Sequence, residues 1–191
     1  NNAVTNISGI PAHDLAINPV TNKIYVSNDI GFQSTVTVID GATNSTSLVQ
    51  TGVDTQSVAV NPVTNKIYAA NYGATDVTVI DGTDNSTVTV PAGIRPLRIS
   101  VNPITNKIFV ANYTTTNITV IDGVTNSTTT IAGLRPSDAA IDPATNKFYV
   151  VNAPAANSLT EVDGTSNFSK LIPGVAGAFA IAINPVTGKL Y

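Results

Sequence analysis

The stretch Asn18-Pro19-Val20-Thr21-Asn22-Lys23-Ile24-Tyr25-Val26-Ser27-Asn28 decides the architecture of this chain. It returns with small changes at Asn61-Pro62, Asn102-Pro103, Asp142-Pro143 and Asn184-Pro185, so the prolines recur every 40–43 residues. Self-similarity at such a period marks a stack of supersecondary modules and outranks any local propensity. Three further anchors keep step with it. A strand-end asparagine lies ten residues beyond the first anchor (Asn28, Asn71, Asn112, Asn152). An Asp-Gly pair follows at Asp40-Gly41, Asp81-Gly82, Asp122-Gly123 and Asp163-Gly164, and a glycine closes each module at Gly9, Gly52, Gly93, Gly133 and Gly174.

Between the anchors of the second module sit four short apolar runs, at 57–60, 66–70, 76–80 and 87–90. They are rich in Val, Ile, Thr and Tyr and bounded by Gly, Pro, Asn or Asp, which reads as strand. No window carries a helix-length 3.6 period. Asn18-Pro19 suits the first two positions of a β-turn, because proline's fixed φ matches the second. Asn22 and its counterparts Asn65, Asn106 and Asn146 are expected in the left-handed region, and Gly188 takes that place in the last copy. Asp40-Gly41 and its equivalents are expected to make the next tight reversal. Each module is then a four-stranded antiparallel meander.

Side chains alternate along a strand, so Ile24 and Val26 face one way and Tyr25 the other. All three are apolar, as are Ile67-Tyr68-Ala69, Ile108-Phe109-Val110 and Phe148-Tyr149-Val150. A sheet apolar on both faces needs cover on both, and identical neighbours supply it by stacking. Radial stacking of this kind is the β-propeller. The expected fold class is therefore all-β, a propeller of four-stranded antiparallel blades.

The strand ends at Asn28, Asn71, Asn112 and Asn152, with Val38-Ile39-Asp40, Val79-Ile80-Asp81 and Val120-Ile121-Asp122, carry a likeness to a known family. The chain resembles the YVTN-type β-propeller repeat family over essentially its whole length. The resemblance implies a ring of six to eight blades in a cell-surface, secreted or periplasmic protein. Family members are mostly of unknown ligand, and a few are enzymes or carry haem.

One propeller is expected over 1–191, with blades at about 14–51, 55–92, 96–132 and 136–173. A split blade would combine 1–10, as an outermost strand, with 175–191. About four and a half blades are thus present, read as part of a larger ring. A five-bladed ring with an incomplete last blade and a multi-chain ring or fibre are the alternatives. Bare apolar blade faces at this length would favour self-association.

Composition narrows function. Charged residues make up 11% of the 191 residues, against about 25% in an average domain. Thr and Asn, with 27 and 21 copies, fill the gap. A net charge of −3 offers no broad cationic surface, so nucleic acid is not an expected partner. No apolar run approaches the length of a membrane span. Cysteine is absent, which removes disulfides and thiol chemistry, and only one His (His13) and one Glu (Glu161) occur. No metal site or cofactor is expected, since no ligand spacing exists.

Loops entering the innermost strands of a propeller line one mouth of its channel. Four residues before the Asn-Pro anchor stand Asp14, Ser57, Arg98, Asp138 and Ala180, and seven before it Pro11, Asp54, Arg95 and Arg135. All three arginines therefore fall on this rim beside Asp14, Asp54 and Asp138, with His13 adjacent. Such a cluster either recognises a polar or carboxylate-bearing ligand or ties blades to one another. Tyr72 and Tyr113 would add stacking surface, although the lack of Trp argues against a lectin-like sugar site. The candidate ligand-binding set is His13, Asp14, Asp54, Arg95, Arg98, Arg135, Asp138, Tyr72 and Tyr113, with no catalytic residue.

Other features have structural readings. Glu161 occupies the place of Val38, Val79 and Val120 and is expected to be exposed or to reach Lys170. Asn28 and its equivalents are expected to bond loop backbone. Lys23, Lys66, Lys107, Lys147 and Lys189 on the opposite rim would serve solubility and edge protection. The Asp-Gly-x-x-Asn-Ser turns lack the carboxylates of a calcium loop. Asn6, Asn44, Asn85, Asn117, Asn126 and Asn167 begin glycosylation sequons of the kind an Asn/Thr-rich chain generates by chance. The expected function is a non-catalytic extracellular, cell-surface or periplasmic scaffold or binding module for a protein or glycan. The alternative is an enzyme domain, lactonase- or streptogramin-lyase-like, with catalytic residues partly outside this chain.

Overall fold

The computed structural model describes residues 6–28, 34–132, 136–152, 158–175 and 178–191. The first blade comprises β1 (Ala12–Asn18), β2 (Lys23–Asn28), β3 (Thr35–Asp40) and β4 (Thr46–Gln50). The second holds β5 (Thr55–Asn61), β6 (Lys66–Asn71), β7 (Asp76–Asp81) and β8 (Thr87–Pro91). The third holds β9 (Pro96–Asn102), β10 (Lys107–Asn112), β11 (Asn117–Asp122) and β12 (Thr128–Ala132). The fourth holds β13 (Pro136–Asp142), β14 (Lys147–Asn152), β15 (Ser158–Asp163) and β16 (Ser169–Pro173). Each is an antiparallel sheet paired in chain order. A hairpin of β17 (Ile183–Asn184) and β18 (Lys189–Leu190) follows. Residues 6–11 carry no strand and, among the described residues, do not pair with that hairpin.

The turns show why these residues recur. Asn18 Oδ1 accepts the Val20 amide at 3.0 Å, and Asn22, Asn65, Asn106 and Asn146 have φ of 52–55°, with Gly188 at 66°. The Asp-Gly pairs open the next reversal, between β3 and β4 in the first blade. Asp40 Oδ1 accepts the amides of Ala42 and Thr43, each at 2.9 Å, and the left-handed residue is Asn44, with φ of 60°. Asn85, Asn126 and Asn167 repeat it. Gly41 is required by crowding instead: a Cβ there would lie 2.6 Å from Asn22 Oδ1.

The cores lie between blades. Tyr25, Val36, Val38 and Val49 of the first blade share a cluster with Val58, Ile67, Ala69 and Ile80 of the second. Tyr68 of the second joins Ile99, Val101 and Ile108 of the third, and Phe109 of the third stacks on Phe148 of the fourth at 4.7 Å. Tyr149 and Val151 pack with Ile181 and Ile183 of the final segment. The second and third blades thus bury both faces against their neighbours, where large side chains contribute about 1.5–3 kcal/mol apiece. The first strands of successive blades run side by side around a common axis.

Two buried asparagine families fix the blades. The strand-end asparagines bond the third strand, not the loop backbone expected for them. Asn28 Nδ2 donates to Thr35 and Thr37 hydroxyls, and Asn71 Nδ2 to Asp76 Oδ1 at 2.6 Å and Thr78 Oγ1 at 2.9 Å. Buried at the strand end, the carboxamide needs partners within its own sheet, and the third strand supplies them. The second family joins blades. Asn18 Nδ2 donates to Asn65 Oδ1 at 2.9 Å, Asn61 to Asn106 at 2.8 Å and Asn102 to Asn146 at 2.7 Å.

Candidate functional site

The site lies at the end of the blades opposite the Asn-Pro turns. In each first strand the register slips by one residue, leaving His13, Gln56, Leu97 and Ser137 unpaired. A bulge bends its strand and re-aims side chains. Asp14, Ser57, Arg98 and Asp138 follow it and stand at equivalent places. With His13, Ile99 and Ala139 they line one recess of about 320 Å³.

The charged groups there are held by hydrogen bonds across blades. Asp14 Oδ2 accepts the Ser57 hydroxyl at 3.0 Å and the Val58 amide at 3.1 Å, both from the second blade. His13 Nδ1 donates to the Gln56 carbonyl at 2.8 Å. Arg98 Nε donates to Asp138 Oδ1 at 3.3 Å, and Asp138 Oδ2 accepts the Ile181 amide at 2.8 Å. Each carboxylate therefore bridges first strands that no backbone ladder joins.

Tyr72, Arg95 and Tyr113 form a separate ledge, and Asp54 is set apart from the recess. The Arg95 guanidinium lies 5.3 Å from the Tyr72 ring centre, and the Tyr72 and Tyr113 rings are 6.4 Å apart, tilted by 46°. Arg95 and Asp54 share a left-handed backbone, at 58° and 56°, and their carbonyls accept the Tyr113 and Tyr72 amides. Gln56 Nε2 donates to Asp54 Oδ1 at 3.0 Å. Arg135 lies outside the described residues. Ser57, Ile99 and Ala139 line the recess but were left out of the candidate set; for the polar one, Ser57, its equivalence to Asp14 was the available signal.

On the opposite rim Lys66, Lys107 and Lys147 are paired within their blades, whereas Lys23 reaches across to the Gly82 carbonyl of the second blade at 3.1 Å. Lys66 meets Asp81 at 2.6 Å and Lys107 meets Asp122 at 2.7 Å. The Lys66 ammonium, then the Thr83 amide, bring the Asp81 carboxyl down to about 2, and Lys107 holds Asp122 well below the carboxylate range. Glu161 bonds Lys147, its diagonal neighbour on β14, at 2.9 Å, and not the exposed Lys170, which stands directly opposite it on β16. That pairing raises the Lys147 ammonium above its ordinary value. Among the described residues no group of three His, Asp or Glu could hold a metal, and no helix is long and apolar enough to cross a membrane.

Solved structures share this architecture. Hydrazine synthase of Kuenenia stuttgartiensis superposes over 98% of this chain with a TM-score of 0.82 and 19% identity. The chain is a β-propeller arc. The Cps50 (Swd1) propeller domain of Myceliophteria thermophila matches 94% of it (TM-score 0.76, 10% identity), and a chain of a nidogen–laminin complex matches 89% (0.70, 15%). The propeller spans 56% of the hydrazine synthase chain, 61% of the Swd1 domain and 67% of the nidogen–laminin chain. No protein-family model and no curated protein sequence matches it.

Proposed function

We propose that this propeller is a YVTN-type, non-catalytic binding module of the extracellular or cell-surface space, presenting its channel mouth to a protein or glycan partner. The observation that carries the reading is the use of the mouth's charges: Asp14, Arg98 and Asp138 are bonded across blades, which makes the recess rigid. Rigid polar surface beside an aromatic ledge suits recognition, because little ordering entropy is lost on binding. The carboxylate oxygens of Asp14 and Asp138 that a reacting group would have to meet are engaged across blades, where they serve as struts. The low charge and Thr/Asn-rich surface suit an exposed disc, and the nidogen–laminin likeness supports a disc that meets proteins.

The test is a glycan array and a panel of immobilised extracellular-matrix proteins, probed with the labelled chain. A Tyr72→Ala/Arg95→Ala variant with unchanged melting should lose binding at least about tenfold, a difference of about 1.4 kcal/mol. Binding that ignores the ledge and an Arg98→Ala recess variant, or hydrolysis of lactones above the buffer rate, would overturn the reading.

A further inference from the structure

The loop that enters the third blade carries an arginine where the backbone disfavours one. Among the described residues, eleven non-glycine positions take the left-handed conformation, and eight of them are asparagines, the residue type that bends this way most cheaply after glycine. Asp54 bends so at modest cost. Arg95, at the equivalent place one blade on, has no such excuse. A residue held in a sparsely populated conformation points to a use for its side chain.

The fold leaves that side chain's charge without a counter-ion. None of the four ion pairs among the described residues includes Arg95, whereas Arg98 is taken by Asp138. The group that holds it is Tyr72: the guanidinium lies over the ring, and Nη1 stands 3.5 Å from the hydroxyl. A guanidinium laid against an aromatic face keeps N–H donors along its edge for a carboxylate. The surface beside it is aliphatic. Val53 and Ile94, which precede Asp54 and Arg95, are 37% and 46% exposed, and their carbonyls accept the Gly73 and Thr114 amides next to Tyr72 and Tyr113.

This chemistry selects among occupants. One guanidinium fork suits one carboxylate, and Asp14, Asp54 and Asp138 on the same rim would repel a polyanion. Exposed Val and Ile suit an apolar side chain better than a hydroxylated sugar, and tyrosine with arginine is the composition of protein-interface hot spots. Resting on the reading of the mouth as a binding face, we propose that the ledge seats a surface loop of a partner protein that carries one aspartate or glutamate next to an apolar side chain. The carboxylate takes the edge of Arg95, and its apolar neighbour lies on the aliphatic and tyrosine surface alongside.

A library of short disulfide-constrained peptides displayed on phage, selected on the immobilised chain, tests this. Enriched peptides should share an acidic residue beside an apolar one, and exchanging the acid for Asn or Gln should weaken binding at least about tenfold. Arg95→Asn suits the left-handed backbone, so it should melt like the wild type and lower affinity to the same extent. On that variant the peptide's exchange should have no further effect. Arg95→Lys keeps the charge but not the fork and should restore only part of the binding. Ledge-dependent peptides without a carboxylate, or an exchange as costly on Arg95→Asn as on the wild type, would overturn the inference. So would binding that needs Arg98 but ignores the ledge, or Arg95-dependent binding of a glucuronate oligosaccharide tighter than that of the peptides; either result would leave the mouth standing as a binding face. A chain that enriches no peptide and binds no oligosaccharide would overturn both.

Discussion

Asn71 offers the sharpest test of how a blade is held. It is fully buried, donates to Asp76 Oδ1 at 2.6 Å and Thr78 Oγ1 at 2.9 Å, and accepts the Thr55 hydroxyl at 2.8 Å. Asn71→Ala removes all three bonds and leaves the buried Thr55 and Thr78 hydroxyls short of a partner. At about 1 kcal/mol per bond, the loss comes to about 3 kcal/mol. For a domain of this size that lowers the melting temperature by roughly 6–12 °C. Asn71→Asp preserves shape but sets a second carboxylate against Asp76 and abolishes both donors, so at neutral pH it should cost more than the alanine. Two carboxylates this close cannot both ionise readily, so the pair's affinity for one proton rises on folding. The excess penalty is therefore present above that raised value and fades as pH falls through it. Circular-dichroism melts of the wild type and both variants at pH 7 and pH 4 measure this. An alanine variant within 1 kcal/mol of wild type, or an aspartate variant matching the alanine at both pH values, would refute the reasoning.

Three further expectations follow from named groups. Tyr68 has a buried hydroxyl with no partner among the described residues, and burial, then the Asp122 charge, push it up to about 12. Tyr68→Phe should be neutral or raise stability by up to about 1 kcal/mol, as the third blade's Phe109 already suggests; a clear loss in chemical denaturation would show that the hydroxyl is satisfied. Asp81 titrates at about 2 when folded and at 3.8 ordinarily, so its support is complete above the ordinary value and disappears as pH falls through about 2. Carbon NMR of its carboxyl should show that midpoint, and Lys66→Met should move it upward; an unmoved midpoint refutes the pairing. Gly82→Ala would drive a methyl into Asn65 and displace the acceptor of the Asn18 link, costing roughly 1–3 kcal/mol in thermal denaturation. A tolerated alanine would show that the link can shift.

What could be read beforehand was whatever the chain encodes locally. The left-handed Asn22, Asn65, Asn106 and Asn146, the strand runs and the two apolar faces follow from neighbouring residues, and they determine the blades. The Asp-Gly reversal was legible, but the reason for its glycine was not: that residue answers to Asn22, a side chain from the neighbouring turn, while the left-handed φ falls on Asn44. The Asn18–Asn65 link was not legible because its ends come from different blades, although the joint change at Asp142 and Gly188 marks the pair. Glu161 stands out in the sequence, but its partner is the diagonal Lys147 of β14 and not the directly opposite Lys170 of β16, a choice that spacing does not make. At the mouth, spacing brought His13, Asp14, Arg98 and Asp138 to one recess, while the bulge and stacking geometry that separate Tyr72, Arg95 and Tyr113 from it needed coordinates.

Because each blade touches only its neighbours, the chain should yield to force in discrete steps. Pulled from its two ends, it would lengthen by about 140 Å for each repeat released, at about 3.4 Å per extended residue. The seam at Asp142 and Gly188, which lacks the carboxamide rivet found elsewhere, would open first and set the lowest peak in the trace.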